Sequence, residues 1–160
     1  MIMTIILTSK DINASIDELW NIISAIDKAP EYWHGTKYIK NIKREGNIIE
    51  RESIIAFKDS KCKETVTLYN KNQITIEIVE GPIIGRKTIA LEEINENKTR
   101  INVKWDIHMK GFIGLFSIFV KKHILKGTEE ALFRIADKAA EQKKEKEVYF
   151  GLNIKYNSRS

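Results

Sequence analysis

The feature that most constrains this chain is a change of hydrophobic period at Gly111. Before it, Ile101, Val103, Trp105, Ile107 and Met109 alternate with Asn102, Lys104, Asp106, His108 and Lys110. That pattern predicts a strand with one face on a core and the other in water. After it, Phe116, Val120, Ile124, Thr128, Ala131, Ile135 and Ala139 recur at helical spacing, with Leu132, Ala136 and Ala140 beside them. Lys122, Glu129, Lys138 and Lys144 occupy the other side. A run of strands closed by one long helix with a single apolar stripe predicts an α+β domain whose helix packs on a sheet. At 160 residues the chain is long enough to bury such a core without staples.

The upstream residues supply the rest of the sheet. Residues 2–12 read as a first strand. Ser15 and Glu18 have capping-box spacing and open a helix whose Ile16, Leu19, Trp20, Ile23 and Ile26 share a face. Asp27 is placed to cap a second, short helix that holds Pro30, Tyr32 and Trp33 and ends near Gly35. A turn at Asp59-Ser60 predicts a hairpin pairing Phe57 with Cys62, Ile55 with Glu64, Ser53 with Val66 and Arg51 with Leu68. The Asn70-Lys71-Asn72 turn then pairs Leu68 with Ile74, Val66 with Ile76 and Glu64 with Ile78. Further strands are expected at about 86–94, after Gly81-Pro82, and from about residue 98, after Asn95-Glu96-Asn97. Val148, Phe150, Leu152, Ile154 and Tyr156 alternate with polar or small neighbours. They predict one more strand after the helix. The expected organisation is a domain over 1–146 and an added strand within 147–160. That strand would join its own sheet or pair residues 148–156 of two copies in a homodimer.

Composition narrows the function classes. Cys62 is the one cysteine, so no internal disulfide forms, which fits a reducing, cytoplasmic setting. The apolar run Phe112–Val120 is far shorter than the roughly 20 residues that span a bilayer. The N-terminus lacks the basic start of a signal peptide. The formal charge is +5, and most of the excess lies after residue 110. Along 137–147 Lys alternates with Glu, a salt-bridged helix face rather than a phosphate-tracking stripe, so nucleic acid is not the expected partner. His34, His108 and His123 are isolated, so neither a metal nor any other cofactor is expected. No catalytic triad spacing or Gly-rich phosphate loop is present.

Four segments, in order, resemble the START-like, or Bet v 1-like, superfamily, whose bacterial and archaeal members include polyketide cyclase/dehydrase and lipid-transport proteins. They are Ile12-Asn13-Ala14-Ser15-Ile16-Asp17-Glu18-Leu19-Trp20, Pro30-Glu31-Tyr32-Trp33, Thr99-Arg100-Ile101-Asn102-Val103-Lys104-Trp105 and Thr128-Glu129-Glu130-Ala131-Leu132. The likeness covers about residues 3–142. It implies a helix-grip fold, a curved antiparallel sheet wrapped around the closing helix, with a cavity for a hydrophobic small molecule or lipid. It implies no particular chemistry, since members bind, carry, sense or cyclise their ligands.

Strand parity selects a cavity lining of its own: Arg51, Ser53, Ile55, Phe57, Cys62, Glu64, Val66, Leu68, Ile76, Trp105 and Ile107. Phe112, Phe116, Phe119 and Val120 are expected to close it from the helix side. Arg51 and Glu64 stand out, because charges seldom face an apolar interior without a partner. They are placed to anchor a polar head, orient an acid, pair through a bulge, or turn to solvent at one. Lys121, Lys122 and Lys126 follow the apolar run 112–120, a pattern suited to an anionic membrane surface. The leading expectation is a carrier or sensor of a hydrophobic molecule. The alternatives are a cyclase- or dehydratase-type enzyme using Glu64 or Arg51, and a ribosome- or protein-interaction module.

Overall fold

The computed structural model describes residues 3–109 and 116–159. Strand β1 (Met3–Ile12) leads into α1 (Ile16–Ile23), whose capping box forms as expected. Ser15 Oγ accepts from the Glu18 amide at 3.2 Å, and Glu18 Oε2 accepts from the Ser15 amide at 2.9 Å. A 3-10 turn at Ile26–Lys28 runs into the one-turn helix α2 (Ala29–Tyr32), with Pro30 in its first turn. A meander follows: β2 (Thr36–Glu45), β3 (Ile48–Ile55), β4 (Ser60–Tyr69), β5 (Gln73–Glu80), β6 (Ile83–Asn95) and β7 (Lys98–Met109). Helix α3 (Phe116–Asn157) closes the chain. The seven strands form one curved antiparallel sheet in the order β1-β7-β6-β5-β4-β3-β2, so β1 and β2 are its edges. The helix-grip architecture is therefore present.

The core lies where the inner face of the sheet meets α1 and the middle of α3. Leu19 from α1, Ile49, Val66, Ile74, Ile101 and Val103 from the sheet, and Leu132, Ile135 and Ala139 from α3 are all buried in one cluster. At the other end of the meander β6 passes close to β7. At Gly85, where φ is +141°, a Cβ would stand 2.1 Å from the Asp106 carbonyl oxygen, so only glycine fits without displacing the strand.

Two expectations are corrected. The β3–β4 turn is longer than the two-residue Asp59-Ser60 connection. It spans Ala56 to Asp59, with Lys58 and Asp59 both left-handed at φ 53° and 49°. Ser60 Oγ donates to the Phe57 carbonyl at 2.8 Å, and the Ala56 amide donates to the Gly35 carbonyl, also at 2.8 Å. Ile55 therefore pairs with Ser60, Ser53 with Cys62 and Arg51 with Glu64. The shift is an even number of residues, so every side chain keeps its face while its partner changes. The β4–β5 pairs are those the Asn70-Lys71-Asn72 turn predicts.

The second correction concerns the C-terminus. Residues 148–156 are not a strand; α3 continues through them to Asn157. Helix propagation adds a hydrogen bond per residue once nucleated, and the lone Gly151 is too weak a breaker to stop it. Val148, Leu152 and Tyr156 also fit an i, i+4 stripe, so alternation alone did not discriminate. The residue 146/147 boundary falls inside this continuous helix, and residues 143–157 are exposed.

Candidate functional site

A cavity of about 50 Å³ lies between the inner face of the sheet and the α1–α2 segment. Its apolar wall comes from Ile23 and Ile26, from Ile74, Ile76 and Ile78 on β5, and from Ile89 on β6. Trp33, just after α2, and Trp105 on β7 supply two indole faces. Three charged side chains, Arg51, Glu64 and Lys87, complete it. A mostly apolar hollow with a few convergent polar groups is the usual composition of a small-molecule site.

The charges are arranged unequally. Arg51 and Glu64 are directly opposite on β3 and β4, and both are buried. Arg51 Nε donates to Glu64 Oε2 at 2.7 Å, while Ser53 Oγ donates to Glu64 Oε1 at 2.8 Å. Both carboxylate oxygens are thus satisfied, which is the condition for tolerating a buried ion pair. Lys87 is also buried, at 6% exposure, but forms no ion pair with any described residue. Its Nζ sits 3.0 Å from the ring centroid of Trp33 and 4.7 Å from that of Trp105. Burial holds its ammonium well below the ordinary lysine range; Glu64 opposes that shift and the Arg51 charge adds to it. Trp105 is itself fixed, its Nε1 donating to Thr128 Oγ1 at 3.0 Å, and Thr128 donates on to the Ile124 carbonyl. The site is tied to α3 by that chain. Beside it, burial and then the Glu64 charge push the Cys62 thiol up to about 11.

The sequence-derived lining divides accordingly. Arg51, Glu64, Ile76 and Trp105 line the cavity, and Ser53 stands behind it holding Glu64. Cys62, Val66 and Ile107 are buried in close packing instead. Leu68 faces a separate open groove with Trp20, Arg44 and Asn47. Ile55, at the end of β3, is half-buried. Phe57 is a correction: the longer turn takes it out of the strand and leaves it 41% exposed. Phe119 is another, 71% exposed on the outer side of α3, while Val120 is half-buried. Phe112 and the side chain of Phe116 lie outside the described residues. Lys121, Lys122 and Lys126 are exposed, as a surface role requires.

Strand parity also marks a cavity residue outside the expected lining. Lys87 shares its face with Ile89 and Leu91, both buried, so the alternation of β6 alone points an inward lysine at the cavity. Trp33 stands in the sequence within the short helix and the Pro30-Glu31-Tyr32-Trp33 segment, neither of which marks it as a cavity residue.

The model of the family described as polyketide cyclase / dehydrase and lipid transport matches residues 3–140. The chain belongs to that family. Solved structures agree on the fold. The Zhui aromatase/cyclase from Streptomyces sp. R1128 aligns with a TM-score of 0.75 at 11% identity, over 87% of this chain and 94% of that one. A START superfamily protein from Mycobacterium smegmatis aligns at 0.71 and 14% identity, over 86% and 98%. Norcoclaurine synthase from Thalictrum flavum, in complex with dopamine and hydroxybenzaldehyde, aligns at 0.66 and 18% identity, over 88% of each chain. None of the curated proteins matches the sequence. Among the described residues, no helix is long and apolar enough to cross a membrane, and no three His, Cys, Asp or Glu side chains gather as metal ligands.

Proposed function

We propose that this member of the family binds a small apolar molecule in the cavity beneath α1 and α2, as a carrier or sensor. The observation that carries this reading is the pairing of an apolar wall with a buried polar floor, where Lys87 has no ion-pair partner among the described residues. A buried lysine lowers stability whether it stays charged or gives up its proton, and a fold retains one where a ligand uses it. The cavity of about 50 Å³ has room for only a few water-sized groups, so a larger ligand enters by swinging Lys87 off the indoles. Native mass spectrometry of protein purified without organic solvent tests this, together with saturable binding of anilinonaphthalene sulfonate. A co-purified apolar ligand that displaces the dye is the expected result. No ligand and no saturable dye binding would overturn it.

The aromatase/cyclases of similar fold favour a second reading, an enzyme of cyclase or dehydratase type. In it Glu64, a carboxylate fixed by Arg51 and Ser53, accepts the proton lost from an enolisable substrate. Turnover with a pH profile that Glu64→Gln abolishes would support the enzyme; ligand binding without turnover leaves the carrier. Two surfaces support partners outside the cavity. Ile118 and Phe119 are exposed beside Lys121 and Lys122, the arrangement that docks on an anionic membrane. Co-sedimentation with phosphatidylserine vesicles, lost in salt, tests that contact. The exposed side chains of 148–156 support a homodimer built helix to helix, which light scattering of the full chain tests.

A further inference from the structure

Lys87 differs from the other described lysines in being buried. It projects from β6 into the cavity, and its amine is held between two indole faces rather than beside a carboxylate. The one carboxylate lining the same cavity, Glu64, is already engaged on both oxygens by Arg51 and Ser53. Loss of water is the main cause that disfavours a positive charge there; the Glu64 carboxylate opposes it, and the Arg51 guanidinium partly offsets Glu64. Desolvation and an adjacent cation are the two ways in which a lysine amine is freed to act as a nucleophile at neutral pH.

We propose that Lys87 is an amine nucleophile that condenses reversibly with the carbonyl group of a small apolar aldehyde or ketone held in the cavity. This rests on the cavity-binding reading above and adds a reaction to it. The Nζ lone pair attacks the carbonyl carbon, the C–O π bond opens, and proton transfer from nitrogen to oxygen gives a neutral carbinolamine. A proton on the hydroxyl lets it leave as water while the nitrogen lone pair forms the C=N bond. Loss of the remaining N–H proton gives the imine, and the same steps reversed release the carbonyl compound. No oxidant or reductant is consumed. Glu64 is the carboxylate within electrostatic reach of that proton traffic. The apolar β5 wall and the indoles select an alkyl or aryl group rather than a sugar.

The test uses the full-length protein with butanal and sodium cyanoborohydride, which reduces an imine to a stable secondary amine. At pH 7 and limiting aldehyde, peptide mapping is expected to place the first butyl group on Lys87. Exposed lysines lag at least tenfold. The Lys87 labelling rate should level off at a lower pH than theirs. Lys87→Met removes the fast phase and leaves the slow one, and the wild-type map stands even if that variant folds poorly. Butyl groups spread over exposed lysines, with Lys87 no faster, would overturn the proposal. If butanal still displaces anilinonaphthalene sulfonate in that case, cavity binding survives and only the covalent step falls. If it does neither, both readings fall.

Discussion

The space between the sheet and the helices has two ends, built by the same strand parity and used in opposite ways. At one end Ile101 and Val103 meet Leu132 and Ile135 with all four side chains fully buried. At the other end the same inward positions of β3, β4, β6 and β7 carry Arg51, Glu64, Lys87 and Trp105 around a hollow. The first end is where the stability of the fold is concentrated, since close packing there meets no polar obligation. The second carries charges that apolar residues of similar volume would replace without loss of stability. The proposed ligand site rests on that difference, since packing alone does not call for the charges.

The largest expected effect comes from breaking the one pair that makes the charged end tolerable. Glu64→Gln leaves the Arg51 guanidinium buried without a counter-charge, and destabilisation of about 3–5 kcal/mol is expected in urea unfolding. A loss below about 1 kcal/mol would mean that water reaches Arg51, and the contrast between the two ends would shrink.

Lys87 sharpens the comparison through pH. Its amine is depressed in the folded protein and ordinary, near 10.5, in the unfolded chain. Between those values the unfolded chain holds a proton that the folded one lacks, so stability rises with pH across the window, by at most about 1.4 kcal/mol per unit. Below the folded value the slope vanishes. Cys62 acts in the opposite sense: its thiol is raised from 9.0 to about 11, so the unfolded chain ionises first and stability falls over that range. Unfolding followed below pH 9.0, before the unfolded thiol ionises, separates the lysine from Cys62. Lys87→Met is expected to be more stable than wild type at pH 7 and to lose the rising slope. An unchanged slope would place the titration elsewhere.

At the closed end the effect is smaller and of a different kind. Ile101→Val removes one methylene from a fully buried side chain, and about 0.5–1.5 kcal/mol of stability should go with it. Binding of anilinonaphthalene sulfonate should not change. A variant that alters both would show the two ends to be one continuous space.

How much of this was legible follows from what parity and turns each encode. Parity fixes the face of a strand residue whatever its partner, so Arg51, Ser53 and Glu64 share one face in both the expected and the observed β3–β4 register, and parity leaves open only whether a bulge turns them outward. Partners depend on turn length, and the left-handed Lys58 and Asp59 carry no sequence mark as plain as Asn-Gly. That is why the Arg51–Glu64 contact had to be seen in the fold. Lys87 obeyed parity but was overlooked, because a lysine among strand residues is ordinarily solvated. The tail failed for another reason: over nine residues, apolar positions of period 2 and of period 3.6 overlap too much to separate.

The outer half of α3 gives the control for both ends. Thr128, Ala131, Leu132, Ile135 and Ala139 bury the inner half, whereas residues 143–157 are exposed. Val148, Phe150, Leu152 and Tyr156 are each more than 60% exposed, so the segment adds no core contact. Removing residues 147–160 should therefore change the unfolding free energy of a monomer by less than about 0.5 kcal/mol. It should also leave dye binding in the cavity intact. The decisive comparison is across protein concentration. If two copies meet through this helix, the full chain gains stability on concentration and the truncated chain does not. Equal, concentration-independent curves for both chains would remove the dimer and leave the exposed stripe to another partner.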